Sequence, residues 1–550
     1  MLKLILISFL NSIFSALVII LILLLAAALI YAQFKPSGTK NIKLKKVKKI
    51  VLSVEDLNED ISNGFSSISF YDVKEGLKNL AKEKNIEELI IDIDNTSFSN
   101  TQLEELEPVF KEISKNMKII AIGTNYGSNN DYLLALNANE IYMYNSYSSS
   151  FSLSYYSRKM PYYKTVLNKL GIKVNILHIG THKSAGENFN KDKMSEAQRE
   201  TLTRIYERLY LNLIEKIKEK RNVDLYDDII NGDLLIVNYK KAKEFGLIDG
   251  VSNFDKLNID YSKDTMDFTT YLGEYKKEKN KSKNVIAVIT AEGTITPQKS
   301  NKPYISYDNM LEKIEKVQEI DNLKGVILRV NSPGGSALEA EKIYKELKNI
   351  EVPIFVSMGD LCASGGYYIS TVSRRLYANP STLTGSIGVV SMYPTLNETL
   401  EKVGINIETV GKSKNNDLFD FRLPLSESSK EKIISSMKDI YFEFKSHVMN
   451  ARIMTDSQLE PLAGGRVWLG VEGKENNLVD KVGSFDDCVK GLVEYLRLED
   501  YKLTYVNNSV NLKDKLQGLK PTLISAEMEE HLRFVMENKN KVMVYEEIEI

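Results

Sequence analysis

The chain has 550 residues, 43% hydrophobic and 27% charged, with a formal net charge of −2. That length exceeds a single compact core and calls for two or more domains, while the near-neutral balance rules out bulk positive charge as a means of holding nucleic acid. Two cysteines, Cys362 and Cys488, are too few for a disulfide scaffold, and with only four histidines the usual base of a serine hydrolase is scarce.

From Leu4 to Phe34 no residue is charged, and Ile5 to Ala32 is nearly all apolar. About twenty apolar residues span a bilayer, whereas the core of a cleavable signal is usually about 7–15. Residues 1–34 are therefore expected to form an uncleaved anchor, with cleavage near Ala26–Ala28 as the alternative. Lysines cluster behind the span, at Lys35, Lys40, Lys43, Lys45, Lys46, Lys48 and Lys49. The positive-inside rule would place that side in the cytoplasm, but a large domain translocates regardless of flanking charge. The same lysines could approach anionic lipid headgroups.

An internal duplication follows. IGTHKSAGENF from Ile179 matches VGKSKNNDLF from Val410, so that Lys183 falls on Lys414. KEFGLIDGVSNFDKL from Lys243 matches KENNLVDKVGSFDDC from Lys474 at the same offset. In each copy short aliphatic runs such as LIIDID and VILRV alternate with segments of helical spacing, the pattern of an α/β fold with parallel sheet. The expected division is a first repeat at 35–255, a polar connector at 256–283, a second repeat at 284–500 and an extension at 501–550. The terminal VMVYEEIEI reads as a last strand.

Chemistry concentrates in the second copy. In LRVNSPGGSA, from Leu328, a strand runs into Gly334-Gly335, and paired glycines let backbone N–H groups face a ligand. In VSMGDLCASGGYYIS, from Val356, an apolar strand gives way to Ser364-Gly365-Gly366 and a helix near Tyr367. Ser364 is then an exposed nucleophile or simply a helix N-cap. In STLTGSIGVV, Ser386 is either a turn serine or a second hydroxyl able to orient a lysine amine.

Together VNSPGGS at 330–336, ASGGYYIS at 363–370, STLTGSIGV at 381–389, GTHKSAGENF at 180–189 and GRVWLG at 465–470 resemble the long, two-repeat form of bacterial signal peptide peptidase A. The resemblance implies tandem Clp protease/crotonase-like repeats built from ββα units. It also implies a histidine-free Ser-Lys mechanism with no metal or cofactor. Ser364 would be the nucleophile, Lys183 the general base and Ser386 its assistant, with Gly365, Gly334 and Gly335 as oxyanion donors. It further implies a homotetramer on the bacterial cytoplasmic membrane, with its catalytic domains on the periplasmic side, cleaving hydrophobic signal-peptide remnants. The first copy carries Asn129 near the position of Ser364, and Ser97 and Phe98 near those of Gly334 and Gly335, yet it keeps Lys183. One repeat would thus supply the base and the other the nucleophile.

Lys414 is the alternative base, since single-repeat relatives draw theirs from about that place. His182, next to Lys183, is a second, on the opposite face of an extended segment. A lysine with its reference pKa of about 10.4 is protonated at neutral pH, so the base is expected in a buried place between the repeats. The competing reading is a catalytically lapsed membrane scaffold; an acyl-CoA enzyme of crotonase type would need neither anchor nor lysine.

Overall fold

A computed structural model describes residues 44–59, 68–257, 259–260, 263–275, 280–300, 302–412, 414–507 and 543–545. The expected anchor at 1–34 lies outside them.

Each repeat is built on its own mainly parallel sheet. The first has six strands in the order Gly250–Ser252, Glu140–Tyr144, Lys118–Gly123, Glu88–Thr96, Lys49–Val54 and Thr265–Asp267. All its pairings are parallel. The second runs Val467–Leu469, Leu383–Gly385, Ile354–Ala363, Leu323–Ser332, Val285–Glu292 and Lys502–Val506. Among the described residues only Val467–Leu469 pairs antiparallel there. Val285–Glu292 is buried along its whole length, as a central parallel strand covered on both faces should be. Within the connector, Thr265–Asp267 joins the first sheet, and the helix Phe268–Glu274 buries Phe268 and Tyr271.

The duplication is also visible in the helices. Glu196–Arg221 and Glu427–Arg452 are both 26 residues long, occupy matching places in the two copies, and are capped by Ser195 and Ser426. Each ends in an arginine that reaches an aspartate at the same offset, Arg221 to Asp249 and Arg452 to Asp480.

Among the contacts that join the repeats, two bear most on the site. The first is a third sheet, in which Lys173–Ile179 of the first repeat lies antiparallel to Val389–Thr395 of the second over seven residue pairs. The second is a buried ion cluster. Arg329 reaches Glu105 at 2.8 Å and Glu59 at 2.6 Å, and Lys74 binds Glu105 at 2.7 Å and Asp486 at 2.9 Å. Burial alone would raise the Glu105 pKa, but Arg329 and Lys74 hold it down to about 2. Such a cluster demands complete pairing, because a lone charge left behind costs several kcal/mol.

Glu104 beside it has no such partner set. Its carboxylate accepts from the backbone and hydroxyl of Ser381, at 3.1 and 2.6 Å, and burial pushes it up to about 7 against those bonds. Between its ordinary 4.5 and 7 the folded chain holds a proton that the unfolded chain releases. The stability tied to this proton is full below the unfolded pKa and is lost as pH rises through the folded one. Glu104→Gln should therefore flatten the fall in urea midpoint between about pH 4.5 and about pH 7. An unchanged slope would contradict that assignment.

Candidate active site

The strand Ile354–Ala363 runs directly into Ser364, and the helix Gly365–Ser370 starts at the next residue. The strand is longer, and the helix starts earlier, than the sequence pattern suggests. The junction is therefore a one-residue corner, and Ser364 takes it at φ 56° and ψ −117°. Positive φ at a non-glycine residue is strained, and surroundings must hold it. Here the Ser364 amide donates to Gly385 O at 2.9 Å, and its carbonyl accepts from the Tyr368 amide at 2.8 Å. The small Gly365 is needed because a Cβ there would meet Gly334 Cα at 3.2 Å.

Ser364 does not cap the helix with its side chain. The corresponding corner of the first repeat behaves differently. There Ser128 caps Asn129–Ala135 in a reciprocal box with Asp131, and the neighbouring Asn129 side chain bonds the backbone of Ser154. The first corner is a helix start only; the second leaves its hydroxyl available.

That hydroxyl meets Lys183. Lys183 Nζ lies 2.8 Å from Ser364 Oγ, 2.7 Å from Ser386 Oγ and 3.2 Å from Ser386 O. Lys183 is 1% exposed, and both serines are fully buried. Ser386 also has positive φ, 53°, and its amide is fixed by Arg466 O at 2.7 Å. The pairing of Lys173–Ile179 with Val389–Thr395 carries the Lys183 loop across to the second repeat. Gly180 then packs on the Gly464 backbone, and the His182 amide donates to Gly464 O at 2.9 Å.

The alternative bases are placed elsewhere. Lys414 is exposed, in a turn. The His182 ring faces Thr181 Oγ1 at 3.0 Å and Glu200 at 3.8 Å, and burial with Arg466 nearby depresses its pKa. Cys362, two residues before Ser364, is buried against Ser370, and burial pushes its thiol up to about 12, which leaves it unreactive.

The glycine pair divides. Gly334 and Gly335 have φ of +96° and +148°, and neither conformation suits a side chain. The Gly334 amide donates to Ser332 Oγ at 3.1 Å, and that hydroxyl donates to Gly293 O at 2.7 Å. The Gly334 N–H is thus committed to holding the loop, contrary to its expected part as an oxyanion donor. The Gly365 amide opens a helix, where no intrahelical acceptor exists.

Gly464-Gly465 went unassigned in the sequence. Gly465, at φ +84°, lies flat on Lys183, and a Cβ there would come within 2.6 Å of Lys183 Cβ. A glycine pair just before an apolar strand was the available signal.

A strand-corner serine, a buried lysine and a glycine loop on duplicated α/β repeats define a hydrolase of the serine peptidase class. The family model described as peptidase family S49 matches twice, at residues 111–264 and 346–499. Protease 4 of Haemophilus influenzae is 31% identical over 451 residues, covering 77% of this chain and 72% of the relative. Protease 4 of Salmonella typhi is 30% identical over 471 residues, covering 81% and 75%. The chloroplastic serine protease SPPA of Arabidopsis thaliana is 28% identical over 499 residues, covering 86% and 73%. The chain belongs to peptidase family S49, in its two-repeat form.

Proposed function

We propose that this chain is a membrane-anchored serine endopeptidase that cuts hydrophobic peptides, including signal-peptide remnants, with a Ser364–Lys183 dyad. The observation that carries the reading is the 2.8 Å contact between Lys183 Nζ and Ser364 Oγ in a water-excluded place.

The Lys183 amine takes the hydroxyl proton as Ser364 Oγ attacks the scissile carbonyl carbon. Ser386, through its hydroxyl and carbonyl, holds the amine so that its lone pair faces Ser364. The carbonyl oxygen becomes an oxyanion, received by the amides of Gly365 and Gly335; one such donor is typically worth about 3 kcal/mol. The Lys183 ammonium then protonates the leaving amine. Water, deprotonated by the same amine, attacks the acyl-enzyme and frees Ser364.

The anchor rests on the charge-free stretch from Leu4 to Phe34. The periplasmic placement, the homotetramer, contact with membrane lipid and the Clp protease/crotonase class of each repeat rest on the motif resemblance. The domain limits 35–255 and 284–500 belong to the same reading, although the sheet strands Thr265–Asp267 and Lys502–Val506 carry each repeat past them. A lapsed scaffold would have no need for a strained, uncapped Ser364 on a buried amine.

The substrate class is tested with two synthetic peptides of equal length, one a signal-peptide core and one polar, given to the full chain in detergent. Internal cleavage of the apolar peptide at least about tenfold faster is the expected result. Equal rates would remove the hydrophobic preference.

A further inference from the structure

Three helices tied to the reaction centre meet again further along. Ala337–Lys348 starts behind the Gly334-Gly335 loop, and Gly365–Ser370 starts behind Ser364. Glu427–Arg452 carries Tyr441, whose hydroxyl accepts from the Gly464 amide at 3.2 Å. Glu341 comes from the first helix, Tyr368 from the second, and Glu443 and His447 from the third. The last two stand one turn apart on one helix face. One ligand atom each of Glu341, Glu443 and His447 lies within 4.8 Å of the others. His447 Nε2 is 3.2 Å from Glu341 Oε2, and the Tyr368 hydroxyl donates to that same oxygen at 2.6 Å. The His447 ring packs on Tyr344 and Tyr368, with centroids at 4.1 and 5.0 Å.

This geometry suits a small cation. Ligand atoms about 2.1 Å from a tetrahedral ion stand about 3.4 Å from one another. The His447–Glu341 separation is already close to that, and Glu443, on the exposed side, is free to turn in. An imidazole among the ligands favours zinc-like ions over calcium or magnesium, which take oxygen. Lys345 also pairs with Glu341, at 2.8 Å, but its side chain is 69% exposed, and such a pair is weak.

The first repeat fills the same place differently. Aligned on their capping serines, Ser99 with Ser336 and Ser195 with Ser426, the helices put Glu341 on Glu104, Glu443 on Asn212 and His447 on Lys216. Glu104, Asn212 and Lys216 line one cavity, so the meeting place itself is duplicated. There a lysine brings its own positive charge, and an amide stands where the second repeat has a carboxylate. The second repeat has an imidazole and two carboxylates instead: a built-in cation has given way to ligands for one.

We propose that Glu341, Glu443 and His447 hold one divalent transition-metal ion of the zinc class, a structural ion whose Glu341 ligand is steadied by Tyr368 of the helix behind Ser364. Outer hydrogen bonds of this kind orient ligating carboxylates. The ion ties together the helices behind the glycine loop and behind Ser364 and the long helix that holds Gly464.

The full chain in detergent, stripped with EDTA, is titrated with Co²⁺ alone, whose visible absorption reports four-coordinate binding, and then with Zn²⁺. The parent should bind one Co²⁺, and zinc should displace it. His447→Ala and Glu443→Gln should each weaken binding by about 100-fold or more, and Tyr368→Phe by about tenfold. Lys345→Ala, which removes the competing ammonium, should bind at least as tightly as the parent. Zinc should raise the thermal midpoint of the parent and leave that of His447→Ala unmoved. Glu443 is exposed, so Glu443→Gln tests the site without disturbing the core. No saturable band in the parent, or parental affinity in either ligand variant, overturns the site. Weaker binding in Lys345→Ala overturns the place of the ion beside Glu341, and parental affinity in Tyr368→Phe overturns its link to the helix behind Ser364. None of these readouts needs turnover, so a chain that binds the ion and hydrolyses nothing would refute the peptidase reading and leave the metal site standing.

Discussion

Ser364→Ala and Lys183→Ala should each lower turnover of a hydrophobic peptide by about 10⁴-fold or more, and the double variant should be no worse than either. The two side chains act as one unit: the hydroxyl is a poor nucleophile without a proton acceptor, and the amine has no nucleophile to serve without the hydroxyl. Lys183 holds its place through two bonds to Ser386 as well as the one to Ser364. Ser386→Ala should therefore give a smaller loss, about 10²-fold, because the amine remains but loses its aim. Lys414→Ala should retain parental turnover, since that side chain stands in solvent. Steady-state hydrolysis by the full chain in detergent checks all five. A dead Lys414→Ala beside an active Lys183→Ala would move the base into the second repeat and leave the first as support.

The second large effect is expected at a residue with no chemistry of its own. Gly465→Ala should reduce kcat by about 10²-fold or more while the chain stays folded. Alanine is disfavoured at φ +84°, and its Cβ would press on the Lys183 backbone, where no flexible side chain can yield. The Lys183 loop must then lift, and a displacement of about 1 Å at a reacting group is enough for such a loss. The long helices touch only the neighbouring residues, Tyr441 at the Gly464 amide and Glu200 at His182, and the ion cluster lies elsewhere, so the thermal midpoint should move far less than the rate. Paired kcat and unfolding measurements separate the two. A parental kcat would show that the loop does not depend on Gly465.

Much of this was legible in the sequence, for reasons that can be named. Ser364, Ser386 and the glycine loop sit where strands end, and strand ends are local features. The duplication was legible because Lys183 and Lys414 fall in matching surroundings at the offset that the later motifs repeat. The choice between those lysines was not legible locally. It depends on Lys173–Ile179 crossing to pair with Val389–Thr395, a contact between segments of different repeats, far apart along the chain. The ion cluster was hidden for the same reason, although Arg329 within the apolar run VILRV was a trace of it: a charge in a buried strand must have partners. The Gly334 amide was misassigned because motif reading counts glycines and does not show that the hydroxyl of Ser332 already holds one of the pair. The strand character of VMVYEEIEI was readable, but its place beside Gly335 was not, since nothing local fixes a three-residue strand.

The measurement closest to the central claim is the rate at which a fluorophosphonate modifies the chain, followed by intact mass and mapped by peptide. The parent and Lys414→Ala should be modified once, at Ser364, at equal rates. Lys183→Ala should react at least about 10²-fold more slowly, because its hydroxyl has lost the base. Modification at another residue, or an undiminished rate in Lys183→Ala, would contradict a Ser364 nucleophile activated by the lysine of the other repeat.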